Sequence, residues 1–450
     1  MGESGSSKMT QTETPETTNP STRPSREVPS WARSARDPAL PLVLRRSLPP
    51  LTMEPVLQPW TVQPPSLPVT PPVPVEQFTG RLILQRLDPE ARRVLSQKYV
   101  FFHDNELQYH PTRTFHPWKP EYRTHPSPLS IWSYSCYPTT FVDYDVPDAS
   151  KVRVYMPRFG ARRSGVPALL WCSGGGMVLG NIDSDQGLLT RIASKLQCAV
   201  VQIDYRRAPE HPYPTPGNDV AAGYEYVYRN RSRMGLNGCF VLGGASAGAN
   251  LAFVTALRRV QAGLPMPVGV LLVAPAQLDN TLTVESFDGW RNMQHAPWTG
   301  VDAAMSFRQL YLPRGGHAID WQQNPLNFPD EILKDAVFPP TFNLLMGVDL
   351  FLEEGKMLTA RLRQHAHVVR EKIFPGLPHM APAMGRMFPE VLREIRKILK
   401  TFFTVDAMVY HDLPGDHALD VGMSPQHWLA EMCAEDDEDV CQCNRTGVRR

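Results

Sequence analysis

No apolar run of about 18 residues, the length a membrane-spanning helix needs, occurs in this chain of 450 residues. The amino terminus also lacks the charged and then apolar regions of a secretory signal. An excess of one charge is missing as well: 46 Lys and Arg stand against 45 Asp and Glu, a formal net charge of +1. A long-range field that would gather nucleic acid or an anionic membrane is therefore not expected. Cysteine is sparse and odd in number, with 7 residues: Cys136, Cys172, Cys198, Cys239, Cys433, Cys441 and Cys443. Several of these fall in apolar runs, a usage that fits a reducing compartment and not a disulfide framework. Cys441 and Cys443 have no His or Cys pair at ligand spacing, so no metal site is expected. Neither the Gly2 context, with Glu3 following, nor the scattered Arg residues among serines near the start makes a convincing lipid anchor or transit peptide. The expected location is the cytoplasm.

Proline is abundant, with 45 residues, and it crowds the first part of the chain together with Ser and Thr. Such a stretch buries too little apolar area to offset its ordering entropy, so residues 1–80 are expected to form a disordered arm. From about Val152 onward short apolar segments alternate with helix-length ones: Val152 to Pro157, Val166 to Trp171, Ala199 to Asp204, Cys239 to Leu242, Val268 to Val273, Phe342 to Val348 and Val368 to Phe374. The alternation predicts an α/β fold, a mostly parallel central sheet with helices on both faces. Asp88 followed by Pro89 reads as an N-cap with proline at the first helical position. Residues 81–150 are expected to be a cap and lead-in, 151–403 the catalytic domain, and 404–450 an acidic tail around Glu435-Asp436-Asp437-Glu438-Asp439.

Three places carry chemistry. Gly244-Ala245-Ser246-Ala247-Gly248 lies between an apolar run and a helix-like stretch, where a nucleophilic serine on a sharp strand-to-helix turn would sit. Gly174-Gly175-Gly176 follows the apolar run ending at Trp171, so backbone N–H groups there are free of side chains and can face a developing oxyanion. Asp349 closes the run Phe342 to Val348, and His379 follows the last strand in the loop Pro375 to His379. The order Ser, Asp, His is that of α/β-hydrolases. His365 and His367 compete for the base role, but they fall in a helix-like stretch before the last strand.

The chain resembles the hormone-sensitive lipase family of α/β-hydrolases, fungal-type esterases included. The likeness rests on SGGGMVLG at Ser173 to Gly180, DYRRAPEHPYP at Asp204 to Pro214, GASAGANLA at Gly244 to Ala252, Asp349 with Glu353-Glu354-Gly355, and His379. It implies an α/β-hydrolase fold with an N-terminal helical cap and a triad of Ser246, Asp349 and His379. It further implies an oxyanion hole from the backbone of Gly174, Gly175 and Ala247, and substrate contacts at Met177 and Tyr205. No cofactor and no metal are implied. Two positions depart from the family: Ser173 stands where a histidine usually opens the loop, and Ala245 where an acidic residue usually precedes the nucleophile. The expected partner is a small-molecule ester, with no nucleic acid and no membrane, and a homodimer is left open.

The helix near Leu87, the aromatic stretch from Phe101 to Tyr144 and an insertion from Gln277 to Pro329 with Trp290, Trp298, Tyr311 and Trp321 are expected to roof the site. An enclosed pocket favours a short acyl group on a non-lipid alcohol, such as an intermediate of secondary metabolism. The same triad would also serve acyl transfer, or lactone or thioester cleavage, since the acyl-enzyme is common to them and the second nucleophile differs. A ligand receptor on a hydrolase scaffold, and an interaction protein acting through its ends, are the non-enzymatic readings.

Overall fold

The computed structural model describes residues 81–411, apart from 112–114, 116, 126, 158–164, 313–319, 335 and 366, with side chains as far as Phe403. The expected proline-rich arm, Cys433, Cys441, Cys443 and the acidic cluster lie outside the described residues.

Among the described residues one sheet of eight strands runs in the order β1-β2-β4-β3-β5-β6-β7-β8. The strands are β1 (Thr140–Asp145), β2 (Lys151–Met156), β3 (Val166–Cys172), β4 (Ala199–Ile203), β5 (Leu236–Ala245), β6 (Gly269–Val273), β7 (Thr341–Val348) and β8 (Val369–Pro378). β2 is antiparallel to both of its neighbours, and from β4 to β8 every pairing is parallel. Parallel strands need crossovers, which here are α3 (Gln186–Leu196), α4 (Thr215–Asn230), α5 (Ala247–Gln261) and α8 (Leu352–Gln364), with α9 (Pro389–His411) closing the body.

Two apolar cores lie on opposite faces of this sheet, and side-chain alternation assigns each residue to one of them. On β3, Val166, Ala168, Leu170 and Cys172 enter the first core with α4, α5 and α8, whereas Leu169 and Trp171 enter the second with α3 and α9. Each fully buried Leu, Val or Phe among them contributes about 1.5–3 kcal/mol, so a one-residue slip that exchanged the faces would be prohibitive. Ahead of the sheet, α1 (Pro89–Val94) begins as the sequence predicts: Asp88 accepts the backbone N–H groups of Glu90 and Ala91 at 2.8 and 3.2 Å, with Pro89 at the first position. α2 (Gln97–Asn105) follows and packs Tyr99 and Phe102 into the second core.

Three details differ from expectation. Thr140–Asp145, at the end of the aromatic stretch expected in the roof, is a strand at the sheet edge. The last strand continues past Phe374 to Pro378, with a register shift against β7 between Met346 and Val348. α8 ends at Gln364, so His365 and His367 follow the helix; their rings stack on each other, and His365 faces Asp330 at 3.3 Å.

Candidate active site

Sheet register brings the chemistry together before any side chain is considered. Val348 on β7 pairs with Pro378 on β8, so the next residue of each strand, Asp349 and His379, leave the sheet side by side. Cys172 pairs with Gly244, which sets Gly174 alongside Ser246; a β-carbon at Gly174 would come 3.1 Å from that of Ser246. All four leave the carboxyl ends of parallel strands, the rim where open α/β sheets bind their ligands.

Ser246 has φ 55° and ψ −124°, a conformation an L-residue adopts only under constraint. Hydrogen bonds on both sides impose it: its N–H donates to the Val273 carbonyl at 2.9 Å, and its carbonyl accepts from Ala249 and Asn250 at the start of α5. The turn is so tight that a β-carbon at Gly248 would lie 2.0 Å from the Cys172 carbonyl oxygen, which explains the glycine there. The sharp turn lifts the hydroxyl off the sheet, and Ser246 Oγ lies 2.9 Å from Nε2 of His379. Nδ1 of His379 lies 2.7 Å from Oδ2 of Asp349. The other Asp349 oxygen accepts the Phe351 N–H at 2.9 Å, and the Phe351 ring meets the imidazole edge-on at 5.3 Å between centroids. Asp349 and His379 are buried. A buried carboxylate fixed at both oxygens holds Nδ1–H and leaves Nε2 as the acceptor toward the serine hydroxyl.

Gly174, Gly175 and Gly176 border the same space. Among the described residues no carbonyl accepts from the N–H groups of Gly174, Gly175 or Ala247, and Ala247 opens α5, where the N–H groups lack intrahelical partners and the helix dipole favours negative charge. The cavity above them measures about 940 Å³. Its roof comes from two directions: Leu87, Phe115 and Tyr122 from the segment before the sheet, and Trp298 and Phe307 from the insertion that holds α6 (Asp288–Met293) and α7 (Val301–Tyr311). The Phe115 and Phe307 rings meet at 4.8 Å with 30° between planes. Phe307 also presses on the glycine loop, since a β-carbon at Gly176 would fall 2.4 Å from its ring.

Residues 169–382 match the alpha/beta hydrolase fold family. An AB hydrolase superfamily protein of Schizosaccharomyces pombe is 31% identical over 241 residues, 53% of this chain and 70% of that protein. The chain belongs to the α/β-hydrolase family. An esterase of Acinetobacter venetianus is 29% identical over 247 residues of this α/β-hydrolase, 55% of the chain and 78% of that protein. Among solved structures, a thermostable esterase from Pseudomonas putida superposes with a TM-score of 0.62 at 21% identity, covering 69% of this chain and 98% of that one, a likeness of fold.

Within this α/β-hydrolase the structure gathers Ser246, Asp349, His379, Gly174, Gly175 and Ala247 at one place, and it moves Met177 and Tyr205 away from it. Neither lines the cavity. Met177 is buried in the turn behind the glycine loop with φ 61°, and its carbonyl accepts from Ala208. Tyr205 is buried and spends its hydroxyl on the Ser173 carbonyl at 2.9 Å. Both shape the loop from behind. Of the insertion's expected aromatic residues only Trp298 reaches the cavity; Trp321 and Tyr311 pack on the first core, and Trp290 is buried beneath the roof.

Two residues to which sequence reasoning gave no role matter here, Glu354 having entered only as part of the motif after Asp349. Phe307 looked like any apolar helix residue, and only the fold brings it to Gly176. Glu354 is fully buried, accepting the Trp290 indole N–H at 2.7 Å and the backbone N–H groups of Leu278 and Asp279 at 2.7 and 3.3 Å. It ties α8, just after Asp349, to the roof insertion. Burial pushes its carboxyl up to about 7, with the donated hydrogen bonds and nearby Arg308 pulling the other way.

Proposed function

We propose that this α/β-hydrolase is a serine carboxylesterase in which Ser246 attacks the acyl carbon and His379 takes its proton. His379 then delivers that proton to the leaving alcohol, Asp349 holds and supports the imidazole, and water admitted through the same base clears the acyl-enzyme. The N–H groups of Gly174, Gly175 and Ala247 receive the oxyanion of each tetrahedral intermediate. The observation that carries the reading is the continuous chain from Ser246 Oγ through His379 to Asp349, set on the floor of the cavity. The esterase names of sequence relatives support the same reaction.

In this reading residues 81–150 and the Gln277 to Pro329 insertion serve as the cap over the 151–403 catalytic domain, and the enzyme works in the cytoplasm, where Cys136, Cys172 and Cys198 remain free thiols. The substrate is a short-acyl ester of a small non-lipid molecule; an intermediate of secondary metabolism meets that description. A cavity of about 940 Å³ is the size that encloses a drug-sized ligand. A series of p-nitrophenyl esters from acetyl to hexadecanoyl, given to the purified protein, tests this. Turnover should peak among the shortest acyl groups. Activity that climbs past decanoyl, or jumps when substrate forms micelles, would overturn the short-acyl reading.

A further inference from the structure

A guanidinium reaches the glycine loop from outside the matched residues 169–382. Arg123 comes from the short turn Pro120–Arg123, in the segment before the sheet, and borders the cavity. Its Nε donates to the Val178 carbonyl at 2.8 Å and its Nη2 to the Ala208 carbonyl at 2.7 Å. Nη2 also donates to Glu210, which accepts the Trp118 indole N–H at 3.3 Å, and the guanidinium lies over the Trp118 ring at 4.9 Å. The two carbonyls belong to one assembly, because the Ala208 N–H donates to the Met177 carbonyl at 3.0 Å. The Val178 carbonyl leads further. It shares a planar peptide with the Leu179 N–H, which donates to the Gly175 carbonyl at 2.7 Å, where the Val178 N–H also donates at 3.0 Å. Donors therefore run one way, from Arg123 through the Val178–Leu179 peptide to Gly175, and each bond in such a chain polarises the next. Arg207 holds the following carbonyl, that of Leu179, at 3.1 Å.

We propose that Arg123 is a positioning residue: by holding the Val178 carbonyl it fixes the turn that sets the Gly175 N–H toward the oxyanion. The proposal rests on the serine-esterase reading given above. Gly175 has φ 111°, and a β-carbon there would fall 2.5 Å from the Leu179 carbonyl oxygen, so no side chain can shape this turn from within. An oxyanion donor has to be placed to about half an ångström, and Gly175 takes that placement from its hydrogen-bonded turn. Of the contacts Arg123 makes, the two to backbone carbonyls carry the effect. The Glu210 side chain is 42% exposed, and an ion pair that open to water contributes little, whereas a charged donor strengthens each carbonyl bond. Arg123 belongs by sequence to the segment that bears the roof, but its bonds are to the floor loop. Its removal should therefore slow the chemical step and leave acyl preference alone.

The test uses the full chain with Arg123→Ala, Arg123→Lys and Glu210→Gln. Active sites are counted by stoichiometric labelling with a fluorophosphonate, and kcat per labelled site and KM are then measured on p-nitrophenyl acetate. Arg123→Ala should lose about tenfold to a hundredfold in kcat with KM nearly unchanged, as expected when only transition-state contacts are loosened. Affinity for an arylboronic acid, which mimics the tetrahedral adduct, should fall by the same factor. Arg123→Lys keeps the charge beside Glu210 but not the planar fork that spans two carbonyls; it should melt close to wild type and still lose about tenfold in kcat. Glu210→Gln removes the ion pair and leaves both carbonyl bonds, and should cost at most about threefold. A merely structural role would lower the melting temperature and labelled fraction of Arg123→Ala while leaving kcat per labelled site intact. That result overturns the proposal, as does wild-type kcat in Arg123→Lys or a loss in Glu210→Gln as large as that in Arg123→Ala. Wild-type protein that takes no label at Ser246 would instead sink the esterase reading itself.

Discussion

Ser246, Asp349 and His379 stand at the ends of β5, β7 and β8, strands packed between two cores, whereas the roof above them is made of short helices joined by aromatic contacts and a few buried polar ties. On the floor, register does the placing: the pairing of Val348 with Pro378 puts acid and base side by side whatever the surrounding loops do. In the roof no ladder sets position. Phe115 reaches Phe307 across segments nearly two hundred residues apart, and Trp290 is held by the Glu354 carboxylate, the Phe351 ring and the Arg308 guanidinium. Floor variants should therefore change chemistry with little effect on stability, and roof variants should change selectivity or stability with the chemistry preserved.

The largest effects belong to the floor. Ser246→Ala and His379→Ala should each lower kcat on the order of a millionfold, and together no further, because the two act as a unit. Asp349→Asn should cost about ten-thousandfold, since an amide at this place favours the wrong imidazole tautomer. Circular dichroism melts of these three variants should stay close to wild type. A melt that collapsed with Ser246→Ala would break the distinction between floor and roof.

The tie between the two regions comes next. Glu354→Gln puts an NH2 group against N–H donors and should destabilise by about 1–3 kcal/mol, read by urea titration. It should also change how stability depends on pH. The folded Glu354 carboxyl binds its proton up to about 7, above its ordinary 4.5. Between those values the folded protein holds more protons than the unfolded chain, so this group's contribution weakens as pH rises from about 4.5 to about 7 and is flat beyond. That component should vanish in the Gln variant. Equal pH slopes for the two proteins would remove Glu354 as its source.

Smaller effects come from the roof itself. Gly176→Ala drives a β-carbon into the Phe307 ring at a backbone with φ 62°, and should lower kcat/KM on p-nitrophenyl acetate by about tenfold through a displaced loop. Combining it with Phe307→Ala should recover part of that loss; no recovery would place the damage in the backbone strain alone. Phe307→Ala by itself should keep kcat on acetyl esters within a few-fold and move the preferred acyl or alcohol group toward larger ones.

The same contrast explains what could be read from the sequence. The floor was legible because its requirements are local: a serine in GASAG between a strand and a helix, glycines at a strand end, an acid and a histidine each following a strand. Apolar alternation located β2 to β8, although the β8 boundary was missed because Pro375, Gly376 and Pro378 look like loop and are accommodated by the register shift. Asp88 and Pro89 announced α1 for the same local reason. The roof was not legible in detail, since a tryptophan that lines a cavity and one buried beneath it have the same sequence neighbourhood. Trp298 and Trp290 went opposite ways. Met177 and Tyr205 were placed in the pocket by resemblance, but the tyrosine hydroxyl is committed to Ser173. The buried bonds of Gln202, which donates to Ser173 and Ser184 and accepts from Tyr155, had one signal, a glutamine in the middle of the apolar strand AVVQI, which a buried strand tolerates only with partners on both ends of its amide.

The central claim is that the strand ends present Ser246 as an activated nucleophile. The direct measurement is to treat the native full-length protein with a fluorophosphonate and locate the adduct by peptide mass spectrometry. One phosphonyl group per chain is expected, on Ser246, with esterase activity lost in proportion, and labelling abolished in His379→Ala. An adduct on any other serine, or an unlabelled protein that still hydrolyses p-nitrophenyl acetate, would contradict it.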